Sequence, residues 1–506
     1  MAQAKPSGTV IDISGDKSVK KLQSKAVGLI GVLFLAVTGA APMSAMLGNV
    51  PFAAGFGIGK YAPAAFLLAT IVLTIFSIGY AAMAGRVSSV GGFYSFISQG
   101  LGREIGMSAG ITSLVCYSIF EASLDGLFAF FANDWLNKHF GINVPWLVLA
   151  LFAIGLCAIL SYRDVKLSAK ILGVALVAEV TILIIFALGV IFAGSGTNFD
   201  GDSLNVFKVL TPVAEQKVGD VAIAAGAAAV GVFMAFWSWV GFEMAPNYAE
   251  ESRDPRRNIP RSLLISVVGL GVFYTIVSWC VVSAYPTEGD MLAKAVADSG
   301  NFFLSPIQQF VGGWAYQVMA ILIITSSFAC AMAFHNTAAR YLYSLAREGV
   351  LPASIAETHD HHKSPHKASV VQSILAVVWV VLFGLFNGFG DPLNQAYLGV
   401  YTLFAVLGTG LLLVLQAIVS LAIIFWFKKN GGGNGFSTVV APIISFVAQL
   451  ILVYLLISNL ATLGGKVWLI WVGLVVILGG LIWGFILKSS NPTAFNNIGH
   501  MINEGE

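Results

Sequence analysis

A dozen apolar runs, near 27–50, 62–84, 104–132, 145–161, 168–194, 219–249, 261–285, 306–345, 368–389, 395–427, 438–461 and 466–487, fill most of the 506-residue chain. A helix of about 20 apolar residues spans a hydrocarbon core ~30 Å thick. The repetition predicts one all-α integral membrane domain of 12 transmembrane helices with no sizeable soluble module. A composition 57% hydrophobic and only 10% charged excludes a soluble globular protein. The runs 306–345 and 395–427 are longer than one crossing needs, which predicts tilt or extension into the cytoplasm.

Lysine and arginine set the orientation. With a cytoplasmic N-terminus and alternating spans, 21 of the 27 basic residues fall on inside segments, and only Lys60, Lys138, Lys208, Lys217, Lys294 and Lys466 fall outside. The asymmetry predicts a multi-pass plasma-membrane protein with both termini in the cytoplasm. Residues 1–25 read as a flexible cytoplasmic tail and 489–506 as a cytoplasmic C-terminal tail. The net charge of +2 is spread over many edges and gives no nucleic-acid surface. Cys116, Cys157, Cys280 and Cys330 lie within apolar runs without metal spacing, as buried thiols do.

The first run, VGLIGVLFLAVTGAAPMSAMLGNV, carries Thr38-Gly39-Ala40-Ala41-Pro42 at its centre. From Val27 to Val37 a helix rises roughly 16 Å, about half the core. Proline lacks an N–H and clashes with the preceding turn, and glycine already weakens a helix, so the span breaks or kinks there. A break at mid-depth leaves amides and carbonyls that survive only against a protein-enclosed cavity or a ligand. A kink repaired by neighbouring helices is the alternative. The sixth run has the same punctuation: GVFMAFWSWVGFEMAPNYAEE places Gly241, Glu243 and Pro246 in order. That span runs opposite to the first. Two interrupted, antiparallel helices five spans apart are what an inverted repeat predicts.

Ionisable and polar residues within the runs are the remaining candidates. Glu121 and Asp125 share a helix face, and a carboxylate in a span faces a cavity, a partner helix or an ion path. Glu179 is alone in the fifth run, about 16 Å in from Ser168 and so near the midplane. There it either exchanges a proton or holds two helices together by a hydrogen bond. Trp237 and Trp239 flank Ser238 just before the second break, where an aromatic ring can cap an organic solute or simply pack. Thr325, Ser326 and Ser327 offer hydroxyls to a sodium ion, or bond back to their own helix. Glu250 and Glu251 in AEESRDPRRNIPRS suit a gate or an ordinary surface ion-pair cluster. His335 and Arg340 are gate or anchor residues. His359, His361, His362 and His366 lie in a loop without a rigid ligand framework.

Together the broken first helix, RVSSVGGFYSF, FWSWVGFE with EESRDPRRNIPRS, and ARYLYSLAREGVLP with its later SPHKAS resemble the amino acid–polyamine–organocation (APC) superfamily of permeases. The resemblance covers most of residues 27–430. It implies a LeuT-like fold with a 5+5 inverted repeat and broken helices 1 and 6, built as a core over 26–428 (repeats 26–194 and 218–428) with peripheral helices over 437–488. It also implies a solute site between the breaks. Pro42 suits the first position of the second half-helix, whose amides at Ala40, Ala41, Met43 and Ser44 favour an α-carboxylate. An ammonium would meet carbonyls near Val37, Thr38, Phe236 and Trp237. Gly39, Tyr117, Glu121, Trp239 and Gly241 complete the expected solute contacts, with Glu243 as a gate. Trp237 matches the family position that stacks on or gates over the substrate. One departure stands out: several bacterial relatives carry a lysine where this chain has Glu179, so the coupling chemistry cannot be copied unchanged.

These residues predict a secondary active transporter of an amino acid or related small amine. Proton symport through Glu179, with Ser326 and Thr325 as the alternative sodium ligands, is the preferred coupling, and no other cofactor is expected. Polyamine or cationic amino acid uptake or exchange is the runner-up, motivated by Glu121, Asp125 and Glu243. A solute-gated channel or a sensor is the alternative from another class. No nucleophile–base set marks the chain as an enzyme.

Overall fold

The computed structural model describes residues 28–87, 91–163, 165–249, 252–359, 364–460 and 467–499. Glu250, Glu251, His361, His362 and the 1–25 tail lie outside the described residues. Among the described residues ten helical stretches are long and apolar enough to cross a membrane, the first of them running from Leu29 to Ala84, and Trp146–Tyr162 is a shorter apolar helix. The protein is thus an all-helical, multi-pass membrane protein.

The first run divides into α1 (Leu29–Ala40) and α2 (42–58). Ala41 between them is left-handed at φ 40°, and Pro42 opens the second piece, where its missing N–H costs nothing. After α3 (Ala62–Ala84) comes a short amphipathic helix, α4 (Phe93–Leu101), and then α5 (Arg103–Phe140), 38 residues long and buried over most of its length. Next are α6 (Trp146–Arg163) and α7 (Val165–Ile191). The second interrupted run is α8 (Ala228–Trp237), a turn, and the 3-10 helix α9 (Phe242–Tyr248). Then follow α10 (Pro255–Ser283), α11 (Glu288–Ala297), α12 (Leu304–Phe310), α13 (Gly313–Arg347) and α14 (His366–Asn387). The last elements are α15 (Thr402–Asn430, entered through a π-turn from Pro392), α16 (Ala441–Ser458), α17 (Trp468–Ser490) and the short α18 (Pro492–Asn497). Outward faces are apolar, as lipid requires: Val272, Phe386, Trp471 and Val475 are all exposed.

Two expected spans are bounded differently. Residues 219–249 do not form one run, because Gln216–Val218 and Val221–Ile223 pair as an antiparallel hairpin, β1–β2, with Lys217 opposite Ala222. The chain then passes flush against the end of α2, where a Cβ on Gly226 would lie 2.4 Å from the Gly57 carbonyl. The Ala227 amide donates to Phe56 O at 3.0 Å, and only after that contact does α8 begin. Within 306–345 a short separate helix comes first, and α13 still runs for 35 residues, more than one crossing needs. Gly312, at φ 125°, splits α12 from α13.

The two interruptions meet. A Cβ on Gly241, itself at φ 121°, would lie 2.4 Å from the Gly39 carbonyl carbon and 2.7 Å from the Ala40 nitrogen. A Cβ on Gly39 would strike the Met244 methyl at 2.2 Å but keep 3.3 Å from the Gly241 Cα. Glycine is therefore required at 241 by backbone against backbone and by φ, and at 39 by one flexible side-chain end. On the hairpin side, Lys60 pairs with Asp200 at 2.8 Å and Lys208 with Asp202 at 2.5 Å, while the Tyr61 hydroxyl also donates to Asp202.

Gly241→Ala should destabilise the folded protein by about 3 kcal/mol or more, read as a large fall in the thermal unfolding midpoint in detergent. Gly39→Ala should cost less and be partly restored by Met244→Ala. Equal losses in the two glycine variants would contradict this packing. A second outcome concerns the loop. The hydrogen bond from Lys208, helped by Asn205 and Tyr61, holds the Asp202 carboxyl down to about 2. Its contribution is present above the ordinary carboxylate range near pH ~4 and is lost as pH falls towards about 2. Pepsin should cut the 200–208 loop several-fold faster as the pH drops through that window, and Asp202→Asn should flatten the dependence.

Candidate solute site

The breaks in α1–α2 and α8–α9 expose backbone in the middle of the molecule, and each group finds a partner. The Ala41 amide turns back to the Val37 and Thr38 carbonyls at 3.0 and 3.2 Å. The Gly39 carbonyl accepts from the Cys330 thiol at 3.1 Å, and the Ala40 carbonyl from the Tyr274 hydroxyl at 3.1 Å. The Met43 amide donates to Glu179 Oε2 at 3.3 Å. The Ser44 amide donates to Ser326 Oγ at 3.3 Å, and the Ser326 hydroxyl in turn donates to Glu179 Oε2 at 2.9 Å. Across the interface, the Phe236 and Trp237 carbonyls accept from the Trp239 and Val240 amides. The Gly241 amide donates to Glu243 Oε2 at 2.9 Å, and Glu243 Oε1 accepts from the Tyr117 hydroxyl at 2.8 Å.

This changes the expected carboxylate cradle. The resemblance implies amides open to a solute anion at Ala40, Ala41, Met43 and Ser44. In this form three of these, at Ala41, Met43 and Ser44, have partners, two of them Glu179 and the serine bonded to it. A helix N-terminus favours an anion, and the group seated here is the protein's own carboxyl, that of Glu179.

Beside the break lies a cavity of about 20 Å³. One water molecule needs about 10–15 Å³ on this scale, so an amino acid does not fit and the structure is closed around the site. Backbone at Gly39, Ala40 and Ala41 forms one wall, with Ser44 beside it, and Trp237, Ser238, Cys330 and Phe334 form others. Asn49 and Tyr401 complete it. Four uncharged side chains close a chain of hydrogen bonds over the cavity. Asn49 Nδ2 donates to Ser238 Oγ at 2.8 Å, the Tyr401 hydroxyl donates to Asn49 Oδ1, and Trp237 Nε1 donates to the Tyr401 oxygen at 3.1 Å.

Of the residues expected to contact solute, Gly39, Ala40, Ala41, Ser44 and Trp237 line this cavity. Thr38, Met43, Tyr117 and Gly241 support it from behind. Phe236 and Trp239 face a different, smaller void with Leu73 and Gln416, because neighbouring positions on a helical turn point about 100° apart. Trp239 is fixed there by its bond to the Val267 carbonyl. Glu121 faces away, towards His335 and Gln372. Thr325 is exposed and bonds to Leu322 O in its own helix, so of the candidate coupling hydroxyls only Ser326 reaches Glu179. Arg340 acts as an anchor, donating to the Asn247 carbonyl at 3.3 Å with its guanidinium over the Tyr248 ring. Among the described residues no group of three metal-ligating side chains assembles. Asn49 and Tyr401 escape sequence reasoning. Asn49 is visible as the one amide side chain in AMLGNVPF, but nothing in the sequence brings Tyr401 to it.

Comparison with known proteins agrees with this architecture. The low-affinity putrescine importer PlaP of Escherichia coli is 25% identical over 324 residues, covering 63% of this chain and 66% of the importer. The branched-chain amino acid permease BcaP of Bacillus subtilis is 21% identical over 373 residues, covering 70% and 73%. The vacuolar cationic amino acid transporter 4 of Arabidopsis thaliana is 23% identical over 330 residues, covering 62% and 51%. The chain thus matches just under two thirds of the putrescine importer's length and about half of the plant transporter's. The family model described as amino acid permease matches residues 27–487, nearly the whole chain, and the protein belongs to that family.

Proposed function

We propose that the protein is a secondary active transporter of a neutral amino acid, working by alternating access in the plasma membrane and coupled to a proton carried on Glu179. The observation that carries this reading is the cavity where the two broken helices meet, walled by backbone and by side chains none of which is charged. Such a site suits a zwitterion whose own charges pair with freed backbone and whose side chain is uncharged. A branched-chain permease among the relatives supports the same class. Within this reading the chain crosses the membrane twelve times. The stretch Leu29–Ala84 contains two crossings, and the 18 residues Trp146–Arg163, about 27 Å long, make another. The two breaks belong to inverted five-helix repeats, and both termini face the cytoplasm.

The coupling follows from the competition at Met43. A solute carboxylate needs the amides at the start of α2, and ionised Glu179 already accepts one of them. A proton on Glu179 removes the charge that the helix N-terminus prefers and releases that amide. Solute and proton therefore enter together, which is symport. The closed chain Ser238–Asn49–Tyr401–Trp237 argues against a standing pore. A second reading, amine transport, is favoured by Glu243 at the edge of the α8–α9 break and by the putrescine importer among the relatives.

In a thermal-unfolding screen at two pH values, with and without sodium, neutral amino acids should raise the unfolding midpoint of the purified protein. Putrescine and sodium should not. Stabilisation by diamines alone would replace the first reading by the second. In proteoliposomes, Glu179→Gln should lower accumulation driven by a pH gradient at least tenfold while solute binding persists. Full concentrative uptake by that variant would sink the coupling.

A further inference from the structure

Glu121 stands in the middle of α5 but belongs to a different place from the solute cavity. Its Oε1 lies 2.9 Å from His335 Nδ1 on α13, and its Oε2 accepts from Gln372 Nε2 on α14 at 2.7 Å. All three side chains are fully buried. One turn along α5, Asp125 is also fully buried, and both its carboxyl oxygens are without a hydrogen-bond partner among the described residues. The Gln372 Oε1 acceptor is equally unpartnered there. Two carboxyls, an imidazole and unused acceptors together mark a place that takes up hydrogen, not one that packs apolar surface.

A chain of polar groups leads away from the pair. His335 Nε2 is 2.8 Å from Ser369 Oγ, the Ser369 hydroxyl donates to Ser161 Oγ at 3.0 Å, and Ser161 donates to Asn336 Oδ1 at 2.9 Å. Asn336 is half-buried, and Tyr162, next to Ser161, is exposed at the end of α6. The Tyr162 carbonyl is met by Ser364 from the polar loop before α14. The hydrogen-bonded chain therefore runs from mid-helix to Ser161 and Asn336, one residue from the exposed Tyr162.

The directions of these bonds count protons. In one of the two directions open to these rotatable hydroxyls, Ser369 gives its hydrogen to Ser161 and His335 Nε2 donates to Ser369. A contact of 2.9 Å between His335 Nδ1 and Glu121 Oε1 also needs a hydrogen between them. With the bonds in those directions the pair holds one proton more than a carboxylate beside a neutral imidazole, whether the shared hydrogen sits on nitrogen or oxygen. Reversing every bond gives the emptied form: Ser161 donates to Ser369, Ser369 to Nε2, and Nδ1–H to the carboxylate, with the Asn336 amide turned over. A proton entering at Ser161 from water displaces the Ser161 hydrogen to Ser369. Ser369 passes its own to Nε2, and the pair is loaded. Nothing is left over.

We propose that Glu121, His335 and Asp125 form a second proton-binding site, apart from the solute cavity, filled and emptied through Ser369 and Ser161. Among the described residues the Cys157 thiol of α6 also lies near both carboxyls, and the His359 and His366 rings pack on Tyr162 beside the outer end of the hydrogen-bonded chain. The buried face of α14 brings Ser369 and Gln372 but no titratable side chain, and buried positions of α15 bring none either. On α13, Arg340 is turned to Asn247 and Tyr248. The site does not rest on the role given to Glu179, whose hydrogen bonds go to Met43 and Ser326.

The test uses the full chain in lipid nanodiscs without solute, with the proton itself as the probe. Infrared difference spectra are recorded between about pH 5 and about pH 8, the range in which an imidazole changes charge. Glu121→Gln and His335→Gln should each remove one proton-binding step, and Asp125→Asn should remove a carboxylic acid band. Ser369→Ala should leave the bands in place but slow their exchange with D2O at least tenfold. Should Glu121→Gln fail to fold, His335→Gln and Ser369→Ala carry the same test. Titration curves of Glu121→Gln and His335→Gln that superimpose on the wild type, or exchange in Ser369→Ala as fast as in the wild type, would overturn the site. Glu179→Gln, run alongside, keeps the two ideas apart: a lost step there with none lost at Glu121 removes this site and leaves the transport reading intact.

Discussion

A polypeptide opened in the middle of a membrane must place every amide and carbonyl it frees, because lipid offers none in return. In this chain that requirement recruits side chains from distant segments to one point. Cys330 and Tyr274 serve the carbonyls of Gly39 and Ala40, Glu179 and Ser326 serve the amides of Met43 and Ser44, and Glu243 serves Gly241. Each unmade bond at such a depth costs about 1–3 kcal/mol, so leaving the breaks unserved would exceed the net stability of many domains. The closed form is stable because the protein supplies its own substitutes. On the proposed transport reading, solute binding is an exchange of partners, and its affinity is a difference between two sets of hydrogen bonds.

The same logic explains where the carboxyls stand. Glu121, Asp125, Glu179 and Glu243 are all buried, yet none of them lines the cavity. Glu179 and Glu243 act as ligands for freed amides, Glu121 is joined to an imidazole and an amide, and Asp125 has no hydrogen-bond partner among the described residues. A naked charge inside the molecule costs several kcal/mol, so a carboxyl persists there only with donors or with a proton of its own. Placing them one layer behind the wall lets charge influence the site without fixing the charge of the solute. The acidic residues counted along the sequence therefore overstate the case for a polycation.

Much of the arrangement is written locally in the chain. Pro42 at the first break and Gly241 at the second are punctuation whose physics needs no distant partner, a missing N–H and a backbone free to turn left-handed, whereas Gly39 stays helical, Ala41 takes the left-handed turn and Pro246 lies inside α9. The depth of Glu179 follows from counting rises along a helix, and its carboxyl does reach the first break. Which way a side chain points once its helix is packed is a property of the neighbours instead. Phe236, Trp239 and Glu121 sit at the right depth and face other partners than the solute cavity. Tyr401 lies far along the chain from Asn49, and periodicity carries no information about that meeting. The hairpin at 216–223 is hidden for another reason: apolar Val221, Ala222 and Ile223 extend a hydropathic run without being helical.

The two sides of the cavity are closed by different chemistry, and this bears on how it opens. Towards the hairpin, Ser238, Asn49, Tyr401 and Trp237 are linked by neutral hydrogen bonds. Each is worth about 1 kcal/mol net, and water replaces them on opening. On the opposite side, Glu243 joins Tyr117 to the second break, and Arg340 grips the end of α9 through Asn247 and Tyr248. Bonds to charged groups are worth roughly 1.5–3 kcal/mol, so this side is the harder to part. Moving a two-state equilibrium from 1:99 to 99:1 takes about 5.5 kcal/mol of differential affinity. Under the proposed alternating-access reading, opening towards the hairpin parts only neutral bonds, whereas opening the other way has to part the bonds that Glu243 and Arg340 make.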